Sequence, residues 1–218
     1  MTHTLHRMGN FESLKDDYVW QVYPSKGVND FDVPQRLNKV IDIVTALGSP
    51  NWGDVYSGCI LFKSVNEIRE RLEKGSKLRG IFTTKDKLET FLVKMREEDI
   101  GFSVTISGLF EEIFAVCRRL HIKPHSVNLS LGTWGKKELL PPEELLNITT
   151  MCGHSLISPN LVQKLLEEAK EKGQSPEEIS LRLAELCPCG VFNHVRAAKL
   201  IRNLALKNAE GKARAKVD

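Results

Sequence analysis

The periodicity of this chain changes at Pro141-Pro142. Before them, strand-like runs alternate with stretches of helical spacing. Tyr18-Val19-Trp20-Gln21-Val22-Tyr23 reads as a strand, and Val33 to Leu47 as an amphipathic helix with Pro34 in its first turn and Gly48-Ser49-Pro50 at its end. A strand over Val55 to Phe62 follows, then a helix from Ser64 that ends at Gly75 and a short strand over Leu78 to Phe82. Thr83-Thr84-Lys85-Asp86 opens a helix whose Leu88, Phe91, Leu92 and Met95 form one apolar stripe. Phe102 to Ile106 reads as a strand, Leu109–Leu120 as a helix, and Ser126 to Leu131 as a last strand. Past the prolines only helices are read, over Glu143–Ile148, Pro159–Lys172, Pro176–Leu186 and Asn193–Leu206. Strands alternating with helices predict an α/β domain over residues 1–140, its sheet mixed or parallel and covered by helices. An all-helical module over 141–206 then follows, and a polar tail, 207–218, is expected to stay frayed and solvated.

No run of apolar residues approaches the roughly 20 needed to cross a bilayer, and Met1 to Trp20 lacks the unbroken apolar core of a signal peptide. The expectation is a cytoplasmic chain without membrane contact. Lys plus Arg number 31 against 28 for Asp plus Glu, a net charge of +3, too small to argue for nucleic acid as a partner. In a reducing compartment the five cysteines are not expected to pair as disulfides, and their odd number speaks against a complete framework.

Three of them form two clusters, Cys152-Gly153-His154 and Cys187-Pro188-Cys189-Gly190, with 32 residues between His154 and Cys187. Those residues read as two helices joined by a turn at Lys172-Gly173-Gln174-Ser175, and an antiparallel pair of that length returns the chain to its start. Cys152, His154, Cys187 and Cys189 then supply three thiolates and one imidazole from tight turns, a complete metal-ligand set. Zinc sites usually space cysteines by two to four residues, and both pairs here have one, so the spacing favours an iron–sulfur cluster over zinc. Cys117 and Cys59 look like small apolar core residues, although Cys59 reaches the site if the two parts of the chain dock.

The pattern Cys152-x-His154, 32 residues, Cys187-x-Cys189, with Ser158-Pro159 opening one helix and Ser175-Pro176-Glu177-Glu178 the next, resembles the bacterioferritin-associated ferredoxin type of domain. The resemblance covers residues 150–206. It implies a 2Fe-2S cluster held between the ends of a short helical array, with Cys152 as first ligand, His154 where that family has its second cysteine, and Cys187 as third. This chain departs from the family in that histidine and in the single residue separating Cys187 from Cys189. A 4Fe-4S cluster with one open iron is the other arrangement that three cysteines allow.

Two turns suit a small anionic ligand. Ser107-Gly108 offers hydroxyl and N–H groups at a helix start, and Gly132-Thr133-Trp134-Gly135 follows the last expected strand. His194, close after Cys189, is a further candidate donor, as are His3 and His6 near the start. The functional expectation is an iron–sulfur protein that transfers electrons, senses redox state or delivers its cluster to an acceptor protein. Two others stand beside it: a metal- or cluster-assisted enzyme acting on a small anion bound between the turns and Cys152, and a zinc-stabilised interaction module.

Overall fold

Alternation along β1 (Tyr18–Tyr23) places Tyr18, Trp20 and Val22 on one face and Val19 on the other, and all four are buried. A strand apolar on both faces needs cover on both, and the rest of the chain provides two separate helical layers. The computed structural model describes residues 7–214, with side chains through residue 206.

A single turn, α1 (Phe11–Leu14), precedes β1. Then come α2 (Val33–Ala46), β2 (Asn51–Asp54), β3 (Gly58–Cys59), α3 (Val65–Glu70), β4 (Leu78–Phe82), α4 (Lys85–Glu97), β5 (Ser103–Ser107) and α5 (Phe110–Arg119). The strands form one sheet in the order β3-β2-β4-β1-β5, and every neighbouring pair is antiparallel. The expected mixed or parallel sheet is therefore corrected. β1 and β2 do run in the same direction, joined by α2, but β4 lies between them; β4 and β5 likewise share a direction, with β1 between. Two β-α-β crossovers interleave in this split arrangement, so each same-direction pair is separated by an antiparallel strand.

On the first face Trp20, Phe82 and Phe91 pack with ring centroids 5.3 to 6.1 Å apart, above Leu37, Val40, Ile41 and Val44 of α2. Local chemistry starts the helices of this layer as the sequence indicates. Pro34 stands in the first turn of α2, and Ser64 and Glu67 exchange hydrogen bonds at the start of α3.

After a 3-10 turn at Lys137–Leu139 come α6 (Glu143–Thr149), α7 (Pro159–Lys172), α8 (Pro176–Glu185) and α9 (His194–Arg214). Ile148, Met151, Val162, Leu183, Phe192 and Ala197 from this part pack with Val19 and Ile81 on the second sheet face. The helical part thus uses the sheet as its floor. α9 runs on to Arg214, so residues 207–214, read as a frayed tail, are helical; residues 215–218 lie outside the described ones.

Two expected strands are absent. Val55 to Phe62 is a hairpin turn carrying only the two-residue β3, and β2 lies before it, over Asn51–Asp54. Ser126 to Leu131 carries no regular structure, and Val127, Leu129 and Leu131 are exposed. Its alternation suits a strand, yet no strand of the sheet takes it as a neighbour.

Candidate functional site: a buried thiol cluster on the sheet

Cys152 lies in the turn that ends α6, and Cys187 and Cys189 in the turn between α8 and α9. The antiparallel pair α7 and α8 closes the intervening chain, so the two turns meet as the spacing predicts. The Sγ atoms of Cys187 and Cys189 are 3.7 Å apart, and Cys187 shares a second hydrogen bond with Cys152. Cys187 and Cys189 are fully buried and Cys152 is 2% exposed. None of the three is in a disulfide.

Their ionisation is divided by those contacts. The bond from Cys187 is the largest influence on Cys152 and on Cys189, and each is brought down to about 6 against the opposing effect of burial. Main-chain N–H groups add to this: those of Leu156 and His154 point at Cys152 and that of Val191 at Cys189. The same bonds, followed by burial, push Cys187 up, so it keeps the shared proton. The nearby charges of Arg79 and His154 stabilise the Cys189 thiolate further.

His154 is exposed at the rim, where its charge acts on both thiolates. His194 opens α9; burial lowers its pKa, and its Nδ1 has no hydrogen-bond partner among the described residues. His3 and His6 lie outside the described residues. Cys117 is a core thiol on α5, as expected. Cys59 is 2% exposed on β3 and faces the thiol side, where the Cys189 charge acts on it.

No local pattern signals the network that fixes both cysteine turns. Asp17, just before β1, is buried between two guanidinium groups. Arg7 reaches it at 2.6 Å and Arg196 at 2.9 Å, while the Asn193 amide donates to it at 3.0 Å. Burial would raise the Asp17 carboxyl, but Arg7, Arg196 and Asn193 outweigh it and hold the group below the usual carboxylate range. Arg7 also donates to the carbonyl of Met151, at 3.0 Å, and to that of Val191, residues flanking Cys152 and Cys189. One side chain thus ties both turns to the start of the sheet. Only Asn193 was recognisable in principle, as the cap of α9, accepting the Arg196 N–H at 3.0 Å.

Register places Cys59, Gly53, Arg79, Gln21 and Thr105 in one row across all five strands, on the face that carries the thiols. Arg79 has its Nε and Nη1 buried and without a hydrogen-bond partner among the described residues. An ionised donor in that condition needs an acceptor.

Among the described residues no group of three or more His, Cys, Asp and Glu side chains could hold one metal ion as the side chains stand. A cleft of about 430 Å³ lies along the open edge of β5 and is lined by Ser107, Gly108, Phe110 and residues 124–128, with Arg7 and Asp17 also on its wall. None of Cys59, Cys152, Cys187 and Cys189 lines it. Gly132 and Gly135 stand on the exposed segment, outside the cleft. No helix among the described residues is long and apolar enough to cross a membrane. No protein-family model, curated protein or solved structure matches the chain.

Proposed function

We propose that the chain is an iron–sulfur protein whose cluster, of the 2Fe-2S kind, sits between the sheet and the C-terminal helices and passes single electrons to a partner protein. The observation that carries this is the meeting of Cys152, Cys187 and Cys189, brought from two turns into hydrogen-bonding contact. The 3.7 Å between Cys187 and Cys189 is close to the edge of a tetrahedron of thiolates about 2.3 Å from a metal, roughly 3.8 Å.

Two features favour a cluster over a single ion. A lone tetrahedral zinc needs all its donors around one point, whereas a 2Fe-2S cluster takes its protein ligands as two separate pairs. Among the described residues no three His, Cys, Asp and Glu side chains are arranged about a single ion. The orphaned Nε–H and Nη1–H of Arg79, whose charge acts on Cys189, also call for an acceptor that bridging sulfide provides and a lone ion does not. When bound, such a cluster supplies one-electron redox chemistry. The chain's own groups orient and tune it. Cys152, Cys187 and Cys189 would hold it, and the N–H groups of Leu156, His154 and Val191 would direct the thiolates.

Burial separates the possible roles. An acceptor protein must reach the ligating thiols to take over a cluster, and all three lie at 2% exposure or less. That favours electron transfer or redox sensing over cluster delivery. Ser107 and Gly108 line the cleft at β5 and none of the thiols do, which favours the cluster reading over a small anion meeting Cys152 there.

The test is iron and acid-labile sulfide analysis of anaerobically purified protein, with its visible and electron paramagnetic resonance spectra. Two irons with two sulfides per chain are expected. Zinc without sulfide moves the protein to the structural-module reading, and protein free of metal leaves three core thiols and overturns both.

A further inference from the structure

Three thiols leave a binuclear cluster one donor short, and the exposed His154 is the donor that sequence spacing supplies. The sheet offers another. Cys59 pairs with Gly53 across the β2–β3 hairpin, on the face the helical part covers. Gly190, the residue after Cys189, lies against the main chain of that same Gly53. A Cβ on Gly190 would stand 2.5 Å from the Gly53 nitrogen and 2.7 Å from the Trp52 Cα. A Cβ on Gly53 would stand 2.7 Å from the Cys59 Cα and 2.9 Å from its Cβ. Gly190 lets the Cys187–Cys189 turn close on the main chain of β2, and Gly53 lets β2 close on Cys59. Asn51 locks the approach by donating from Nδ2 to the Phe192 carbonyl at 3.1 Å.

Burial raises the Cys59 thiol above its usual value, and the main chain offsets part of this. The Leu61 N–H, two residues on, acts on its sulfur, while those of Phe62 and Lys63 donate to the Cys59 carbonyl at 3.1 and 3.0 Å. Hydrogen bonds to sulfur surround ligating thiolates and tune a cluster.

We propose that Cys59 is the fourth cluster ligand, so that the site is completed across the interface between the sheet and the helical part and His154 stays at its rim. The inference rests on the cluster reading. It makes the cofactor a clasp between residues that lie in different parts of the chain. It also leaves no iron coordination position open to substrate, which suits electron transfer better than Lewis-acid chemistry.

The experiment measures iron, sulfide and zinc in anaerobically prepared full-length wild type, Cys59→Ala, Cys59→Ser, His154→Ala and, as control, Cys117→Ala. Cys59→Ala is expected to retain less iron by about tenfold or more, while His154→Ala and Cys117→Ala keep the wild-type content. Should Cys59→Ala fail to fold, Cys59→Ser decides: a ligating serine shifts the visible bands of the cluster to shorter wavelength. An unchanged Cys59→Ser spectrum overturns the inference. So does a full cluster in Cys59→Ala, and loss in His154→Ala alone names that histidine as the fourth donor. If the wild type carries zinc without sulfide, the cluster reading fails by itself; release of zinc from Cys59→Ala still supports Cys59 as a donor, and its retention overturns that too. A wild type that binds no metal overturns both.

Discussion

Asp17 is the residue on which the position of the thiols depends most. Its carboxylate is fully enclosed and neutralised by Arg7 and Arg196, and Arg7 in turn holds the carbonyls beside Cys152 and Cys189. Removing one partner of a buried pair strands the other charge, so Asp17→Asn is expected to cost about 3–5 kcal/mol at pH 7. The pH dependence has a definite sign. The folded carboxyl lies below its unfolded value, so its contribution is complete above the unfolded value of about 3.9 and fades as pH falls through the lower folded one. Denaturant unfolding of wild type and Asp17→Asn at pH 7 and in acid checks this: the gap is expected to shrink on acidification. A constant gap means the charge of Asp17 is not what matters.

At the scale of elements, the turn between α8 and α9 is the tightest junction. Gly190 has φ +78°, in the left-handed region, and no room for a Cβ beside Trp52 and Gly53. Gly190→Ala is expected to lower the thermal midpoint and, if the proposed cluster is bound, its iron content with it, because the turn that moves carries two thiols. Loss of stability with iron unchanged would show that the turn adapts without moving its sulfurs. The capping boxes that open α3 and α8, at Ser64 and Ser175, were plain in the sequence, since Ser-x-x-Glu is a local pattern. The Ser126–Leu131 run shows the limit of such patterns. Its alternation is that of a strand, but a strand needs a partner edge, and pairing with β5 is decided by the path of the chain after α5 rather than by the run itself.

For the whole molecule, the central fact is that one sheet serves two cores. Trp20, Phe82 and Phe91 belong to the first and Val19 and Ile81 to the second. Division at residues 140–141 describes composition well but leaves a sheet face that only the helical part covers. Ile81→Ala removes packing from the shared sheet and is expected to cost about 2–5 kcal/mol. Unfolding followed by tryptophan fluorescence, which reports the sheet, and by far-ultraviolet circular dichroism, dominated by helices, is expected to shift by the same amount in one transition. Separate transitions would mean that the helical part stands alone.

Short-range spacing is enough to set where most helices begin and end, which strands of the sheet are apolar, and that Cys152, Cys187 and Cys189 belong together. Those features are written in spacings of a few residues or in one helical hairpin, where geometry follows directly from chain length. The antiparallel order of the strands, the burial of Asp17 between Arg7 and Arg196, and the arrival of Cys59 near the Cys187–Cys189 turn depend instead on how the chain packs in three dimensions. Each of these joins residues far apart in the chain, and local periodicity carries no information about which distant surfaces meet. That choice is made by burial summed over both faces of the sheet.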